Sequence, residues 1–196
     1  MTVARSPTGG HGSAPAEGGP PVRRVAVIGC PGAGKSTFAL RLAQVVGLEV
    51  VHLDRLYWHP GWVPTPREEW VRIQQAALAG ERWIVDGNYA ASLDLRLAVA
   101  DTVIFLDLPR GVCLWRALTR VLRARWVTRP DMADGCRERL DLTFLAFIWS
   151  FRRAKRPAML RRLQAIPAGT RVVHLTSSHA ADRFLAELER SPTPGS

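Results

Sequence analysis

The stretch GCPGAGKST, Gly29–Thr37, constrains this chain more than any other feature. It satisfies G-x-x-x-x-G-K-[ST], with Gly29, Gly34, Lys35 and Ser36 at the fixed positions. The run before it, VRRVAVIG (22–29), is β-branched and apolar and stops at glycine, the pattern of a buried parallel strand. The run after it, KSTFALRLAQVV, has apolar residues at helical spacing and ends before Gly47. A glycine loop between strand and helix lets backbone N–H groups converge on an anion, and the helix adds its positive end. Gly29, Gly32, Ala33, Gly34, Lys35, Ser36 and Thr37 are therefore the candidate phosphate cradle. In it Lys35 reaches for the β- and γ-phosphates of a nucleotide, and the Ser36 hydroxyl for magnesium. Cys30, inside the loop, reads as an inert small residue.

The rest of the chain continues the alternation. LEVVHLD (48–54), RWIVDG (82–87), TVIFLDLP (102–109) and TRVVHLT (170–176) read as strands. PREEWVRIQQAALAG (66–80) opens with Pro and acids and stops at Gly, as a helix does. An Arg-bearing helix follows the fourth strand. Then come an irregular stretch, WVTRPDMADG, a second long helix, and a final helix AADRFLAELER (180–190). Strands alternating with helices imply right-handed βαβ units and a parallel sheet covered on both faces, with ligands beyond the carboxyl ends of the strands.

Composition bounds the partners. The first 21 residues are rich in Gly, Pro, Ser and Ala and read as a disordered tail without a secretory hydrophobic segment. Residues 191–196 read as a second tail, which leaves 22–190 as one domain. The longest strongly apolar run, LTFLAFIWSF (142–151), is about half of what a bilayer crossing needs, so no membrane partner is expected. Three cysteines, far apart and without a CxxC pair, argue against zinc or disulfide frameworks and fit a reducing cytoplasm. The charge is uneven: residues 110–162 hold fourteen Arg or Lys against four Asp or Glu, an excess equal to the net +10 of the whole chain. Such a region attracts polyanions, nucleotide phosphates and nucleic acid alike.

Two further constellations carry chemistry. Asp86 closes the WIVDG strand, where a carboxylate can hold the water shell of magnesium opposite Ser36; a plain strand-end turn with Gly87 is the alternative. On the Arg-bearing helix Arg116 and Arg120 are four apart and share a face, with Arg123 alongside. The returning helix offers Arg152, Arg153 and Arg156. Positive side chains of this kind suit phosphoryl transfer, in which charge spreads over equatorial oxygens.

The run GCPGAGKST, HLDRLYWHPGWVPTPREEW, IVDGNY, LDLR, IFLDLPR and TRPDM is similar to a bacterial family labelled DNA topology modulation protein, or adenylate kinase-like P-loop kinase, over about residues 23–190. The resemblance implies an α/β P-loop NTPase of nucleoside monophosphate kinase type. Such a protein has five parallel strands, helices on both faces and a small helical lid, here about 123–140, and uses ATP and magnesium. It implies catalytic roles for Lys35, Arg116, Arg120, Arg152 and Arg156, with Arg129 a further lid candidate. It places adenine near LTSSH, hence Thr176 and Ser177, and the acceptor after the second strand. There Asp54 would accept a hydrogen bond from an acceptor hydroxyl or support magnesium. Tyr57, Trp58 and Trp62 would stack on a ring or else pin a structural loop; His59 has no metal-binding partner spaced near it. Asn88, Tyr89 and Arg96 lie near the same pocket, Arg96 either clamping an acceptor anion or pairing with Asp94 or Asp101.

One departure bears on the acceptor. Adenylate kinases follow the Asp-Gly dipeptide with an aromatic, Pro and Arg, whereas this chain has Asn88 and Tyr89, and it lacks the larger lid with metal-binding cysteines. The leading expectation is transfer of the γ-phosphate of ATP to a small acceptor, a nucleotide or nucleoside among the candidates. The alternative is a regulatory nucleotide-binding ATPase associated with DNA, although nothing in the chain resembles a recognition helix or zinc module.

Overall fold

The computed structural model describes residues 22–123, 132, 135, 136 and 141–190. The two predicted tails, and the predicted lid except Met132, Gly135 and Cys136, lie outside the described residues, as do Arg129 and the Arg123 side chain.

Apolar β-branched residues make β1 (Arg24–Gly29), whose last five residues are buried. It leads through the glycine loop into α1 (Lys35–Val46). Phe38, Ala39 and Leu42 form the buried stripe of α1, and Gly47 ends it in a left-handed conformation, its N–H donating to Ala43 O at 2.9 Å. There follow β2 (Val50–His52), α2 (Leu53–Tyr57), β3 (Trp58–His59), β4 (Val63–Pro64) and α3 (Arg67–Leu78). Then come β5 (Trp83–Asp86), a 3-10 turn (Ala90–Ser92), α4 (Leu93–Leu97), β6 (Thr102–Leu106) and α5 (Arg110–Arg123). The chain resumes with α6 (Leu142–Ala154), α7 (Arg156–Gln164), β7 (Arg171–Leu175) and α8 (Ser178–Arg190).

Five strands form one parallel sheet in the order β2-β5-β1-β6-β7. Strand β1 is central, with Val27 opposite Asp86 on one side and Gly29 opposite Leu106 on the other. From β1 the chain crosses to the edge strand β2, returns to β5 beside β1, and then passes to β6 and β7 on the other side, so the connections change side at β1 and leave a crevice at the carboxyl ends of β5, β1 and β6. Fully buried Val25, Ala26, Val27, Ile84, Val103 and Phe105 make the floor of the core. Helices α1 and α8 pack against each other, Phe38 facing Phe184 with ring centroids 6.4 Å apart.

The structure departs from the sequence reading in two places. The strand expected over 48–54 shrinks to three residues, because Leu53–Tyr57 turns into a short helix that buries Leu53. The second long helix is two. It breaks at Lys155, whose φ and ψ are −113° and −38°, ahead of Pro157, which has no N–H to continue the ladder. Among the described residues no helix is long and apolar enough to cross a membrane.

Candidate active site

The loop after β1 has the backbone that its glycines allow. Gly32 has φ +80°, and a Cβ there would collide with the Cys113 carbonyl of α5. A side chain at Gly32 would therefore displace α5, whereas at Gly34, with φ +88°, a Cβ would press on the end of the Arg116 side chain and strain the left-handed backbone. No side chain caps the α1 N-terminus. Its first-turn N–H groups therefore face the crevice. Lys35 Nζ donates to Cys30 O at 3.3 Å. Cys30 itself is buried, and a hydrogen bond with Cys113, then burial, pushes its thiol pKa up, which keeps it unreactive.

One cavity of about 1490 Å³ opens over this loop, and it brings together residues from distant elements. Lys35, Ser36 and Thr37 line it with Arg116 and Arg120 of α5, Asp54 and Trp58 of the second crossover, Trp62, and Asn88 and Tyr89. A single small-ligand pocket is usually about 300–1,000 Å³, so this one has room for two molecules side by side. Arg116 donates to Ala33 O and Ser178 Oγ, each at 2.9 Å, which holds its guanidinium against the phosphate loop. Arg120 lies over the Phe144 ring, 5.9 Å from its centroid.

Beneath the loop, Asp86 is buried, with Oδ2 3.1 Å from His52 Nδ1. Its Oδ1 has no hydrogen-bond partner among the described residues. A buried carboxylate oxygen left open, one strand from the loop that carries Ser36, fits the water shell of a divalent cation. Among the described residues no three His, Cys, Asp or Glu side chains gather as a metal cage. Any cation here would therefore depend on nucleotide phosphates as well as on Ser36 and Asp86.

The acceptor end is aromatic. Tyr89 donates its phenol to Asp54 Oδ1 at 2.7 Å. Burial, then the Asp54 charge, pushes the phenol pKa far above the ordinary value, so Tyr89 stays a donor. Trp58 meets Trp62 edge-on at 5.5 Å, and Tyr57 packs against Trp58, Trp70 and Tyr89. Trp62 (φ 66°) and Tyr89 (φ 31°) have left-handed backbones, a conformation shared by no other described non-glycine residue. For an L-residue this costs about 1–2 kcal/mol each.

Several residues sit where sequence reasoning did not put them. Arg96, expected at the acceptor, is fully buried and donates to Asn88 O at 2.5 Å and to Gln74 Oε1 at 3.3 Å. Burial pulls its pKa down to about 10, and it has no path to the cavity. Asn88 lines the cavity, but its amide side chain grips the phosphate loop. Gly29 N donates to Oδ1 at 3.0 Å, and Nδ2 donates to Gly29 O at 2.5 Å. Arg156 is turned from the cavity and held by Asp107 through Nε, at 2.9 and 2.7 Å, with His174 Nε2 2.9 Å from the same carboxylate. Arg152 is exposed and does not line the cavity. Lys155, at the helix break, and Arg162 line it instead. Thr176 is also outside, and Ser178 takes its place. A 3.6-residue repeat assumed to run through Lys155 could not have revealed this exchange; Pro157 was the one available signal.

These features define a class of fold: a five-stranded parallel sheet between helices, with a G-x-x-x-x-G-K-[ST] loop at the carboxyl end of its central strand. Solved structures agree on the fold. A shikimate kinase from Acinetobacter baumannii, in complex with shikimate, aligns with TM-score 0.54 and 16% identity over 85% of this chain and 90% of its own. A protein of Chloroflexus aurantiacus assigned to the kinases aligns with TM-score 0.51 and 16% identity, over 86% of this chain and 97% of its own. No protein-family model matches the chain, and no curated protein matches it.

Proposed function

We propose that this protein is an ATP-dependent phosphotransferase that moves the γ-phosphate of ATP to a hydroxyl of a small acceptor. One observation carries the reading: Lys35 and Ser36 of the phosphate loop and the Asp54 carboxylate line one cavity large enough for two ligands. A hydrolase needs room only for its nucleotide and a water, and this cavity of about 1490 Å³ exceeds that. The fold shared with kinases is consistent with it.

In this reading the phosphate loop and the α1 N-terminus hold the triphosphate, and Arg116 lies beside the loop from the α5 side. Arg120 and Lys155 supply positive charge to the transferring group. Lys155 takes the part that sequence reasoning gave to Arg152 and Arg156. Asp54, oriented by Tyr89, accepts the proton of the acceptor hydroxyl as its oxygen bonds to the γ-phosphorus and the bond to the ADP oxygen breaks. Magnesium, held through Ser36 and Asp86, would supply charge neutralisation at the phosphates.

The test is ADP formation by the purified protein against a panel of hydroxylated small molecules. One acceptor is expected to convert slow background hydrolysis into stoichiometric ADP and a phosphorylated product. Lys35→Ala is expected to lower that rate on the order of 10²–10³-fold. Background hydrolysis that no acceptor raises and Lys35→Ala leaves intact would refute the reading.

A further inference from the structure

Resting on the nucleotide site of the phosphotransferase reading, we infer that His52 is a positioning residue: by holding Asp86 Oδ2 it presents Oδ1 to the water shell of the divalent cation that accompanies ATP. The sheet itself brings the two side chains together. His52 ends β2 and Asp86 ends β5, and the parallel register pairs them directly, after Val51 with Val85. The ring Nδ1 lies 3.1 Å from Asp86 Oδ2, and the two side chains are only 10% and 5% exposed. An ionised carboxylate can only accept, which makes Nδ1 the donor. His52 also stands at the N-cap of α2, but its side chain makes no cap hydrogen bond. The ring is turned to Asp86 instead.

The way the pair is satisfied separates positioning from bracing. The last torsion of an aspartate has a broad preference, so an untethered carboxylate turns easily. With Oδ2 held by His52 that torsion is fixed, and one oxygen is left over. Oδ1 is buried and has no hydrogen-bond partner among the described residues. An open buried acceptor destabilises a fold, so a pair built only as a brace would satisfy both oxygens. One oxygen tied and the other open suits a carboxylate completed by the water around a cation. The ring also has little freedom to leave. A Cβ at Gly87, the residue after Asp86, would come within 2.9 Å of the Leu53 Cβ, the residue after His52. The ends of β2 and β5 are therefore packed tightly, and partners held in this way fix the orientation of the groups that serve a metal.

The experiment is calorimetric binding of a non-hydrolysable ATP analogue to the full chain, with and without Mn2+ as the cation. His52→Phe keeps a ring and removes the N–H, whereas His52→Asn places an amide N–H where Nδ1 stands. Wild type is expected to bind the analogue more tightly with Mn2+ than without it. His52→Phe is expected to lower the affinity with Mn2+ about tenfold, the lower end for partners of metal-holding groups. Its metal-free affinity is expected to be unchanged, and His52→Asn to recover most of the loss. Asp86→Ala is expected to lose as much or more, and adding His52→Phe to it to lose nothing further, because His52 acts through Asp86. A mere brace would lower the melting temperature and leave the affinity with Mn2+ alone, which overturns the inference. Equal losses with and without Mn2+, losses that add in the double variant, or no recovery in His52→Asn overturn it too, as does a wild type indifferent to Mn2+. His52→Ala replaces His52→Phe where the phenyl ring does not pack; if neither folds, the pair is a brace and the inference falls. No acceptor or turnover is involved, so the two readings separate. An acceptor never found beside the expected Mn2+ result sinks the phosphotransferase reading alone. A phosphorylated acceptor beside an unmoved Mn2+ result sinks this one alone.

Discussion

At the scale of single residues, side chains that look like ligands in the sequence act here as positioners. Asn88 bonds both the N–H and the carbonyl of Gly29, at the point where β1 becomes the phosphate loop. Arg96 in turn holds the Asn88 carbonyl from below, and Ser92 donates to Gln74 Oε1 at 2.9 Å in the same buried group. Asn88→Ala leaves two backbone groups of Gly29 without partners, so it is expected to cost about 1–3 kcal/mol of stability. Looser seating of the loop is expected to weaken ATP binding about tenfold, or about 1.4 kcal/mol. Thermal denaturation and nucleotide titration check both; an ATP affinity left intact beside a weakened acceptor would return Asn88 to the substrate role. Tyr89 makes a pH prediction. Its folded pKa is raised by burial and by Asp54, so folded and unfolded chains bind this proton equally below the ordinary tyrosine value of about 10. Above it only the unfolded chain releases the proton, and the stability due to Tyr89 is lost as pH rises, by about 1.4 kcal/mol per unit. Denaturant midpoints between about pH 9 and 11 are therefore expected to fall more steeply for wild type than for Tyr89→Phe.

At the scale of elements, the return from α6 to α7 decides which cations face the cavity. The break at Lys155 rotates the chain, so Arg156 meets Asp107 at the end of β6 while Lys155 and Arg162 line the cavity. Asp107 is buried and Arg156 partly exposed, so Arg156→Ala is expected to cost about 2 kcal/mol of stability, less than a fully buried pair would. Arg152→Ala, on an exposed position, is expected to stay within about 0.5 kcal/mol of wild type and to keep full turnover. Melting curves and ADP release on the pair separate a brace from a phosphate ligand. A turnover defect in Arg152→Ala would restore the uninterrupted helix. The same region shows what a sequence can convey. The loop, α1 and the existence of the five strands of the sheet were legible because each rests on local pattern: β-branched runs, helical spacing, glycine punctuation. The inward cations were not, because a one-residue break changes every later facing and only Pro157 marked it. Nor was Arg96. Burying a guanidinium requires backbone acceptors from other elements, and nothing in LDLR announces them.

For the molecule as a whole, the net charge of +10 invites a polyanion partner, and the structure says where part of that charge goes. Arg116 is bonded to Ala33 O and Ser178, Arg156 to Asp107, Arg162 to Ala90 O, and Arg110 stacks 3.9 Å from the centre of the Trp149 ring. Cations committed to carbonyls, carboxylates and rings inside the protein are not available to neutralise successive phosphates of a duplex. Among the described residues of 110–162, Arg152, Arg153, Lys155 and Arg161 are exposed, on two helices. Duplex DNA is therefore expected to bind through few phosphates, with a logarithmic salt slope of about −3, near 0.9 per contact, and without preference for sequence. Fluorescence anisotropy with a labelled duplex between about 50 and 200 mM salt gives that slope. ATP turnover measured beside it is expected to be the same with and without DNA. A slope near −8, about nine phosphates' worth, would mean that the basic region engages DNA as a surface. If turnover also rose with DNA, the phosphate loop would be reporting on nucleic acid, and a small acceptor would no longer be needed to explain the room in the cavity.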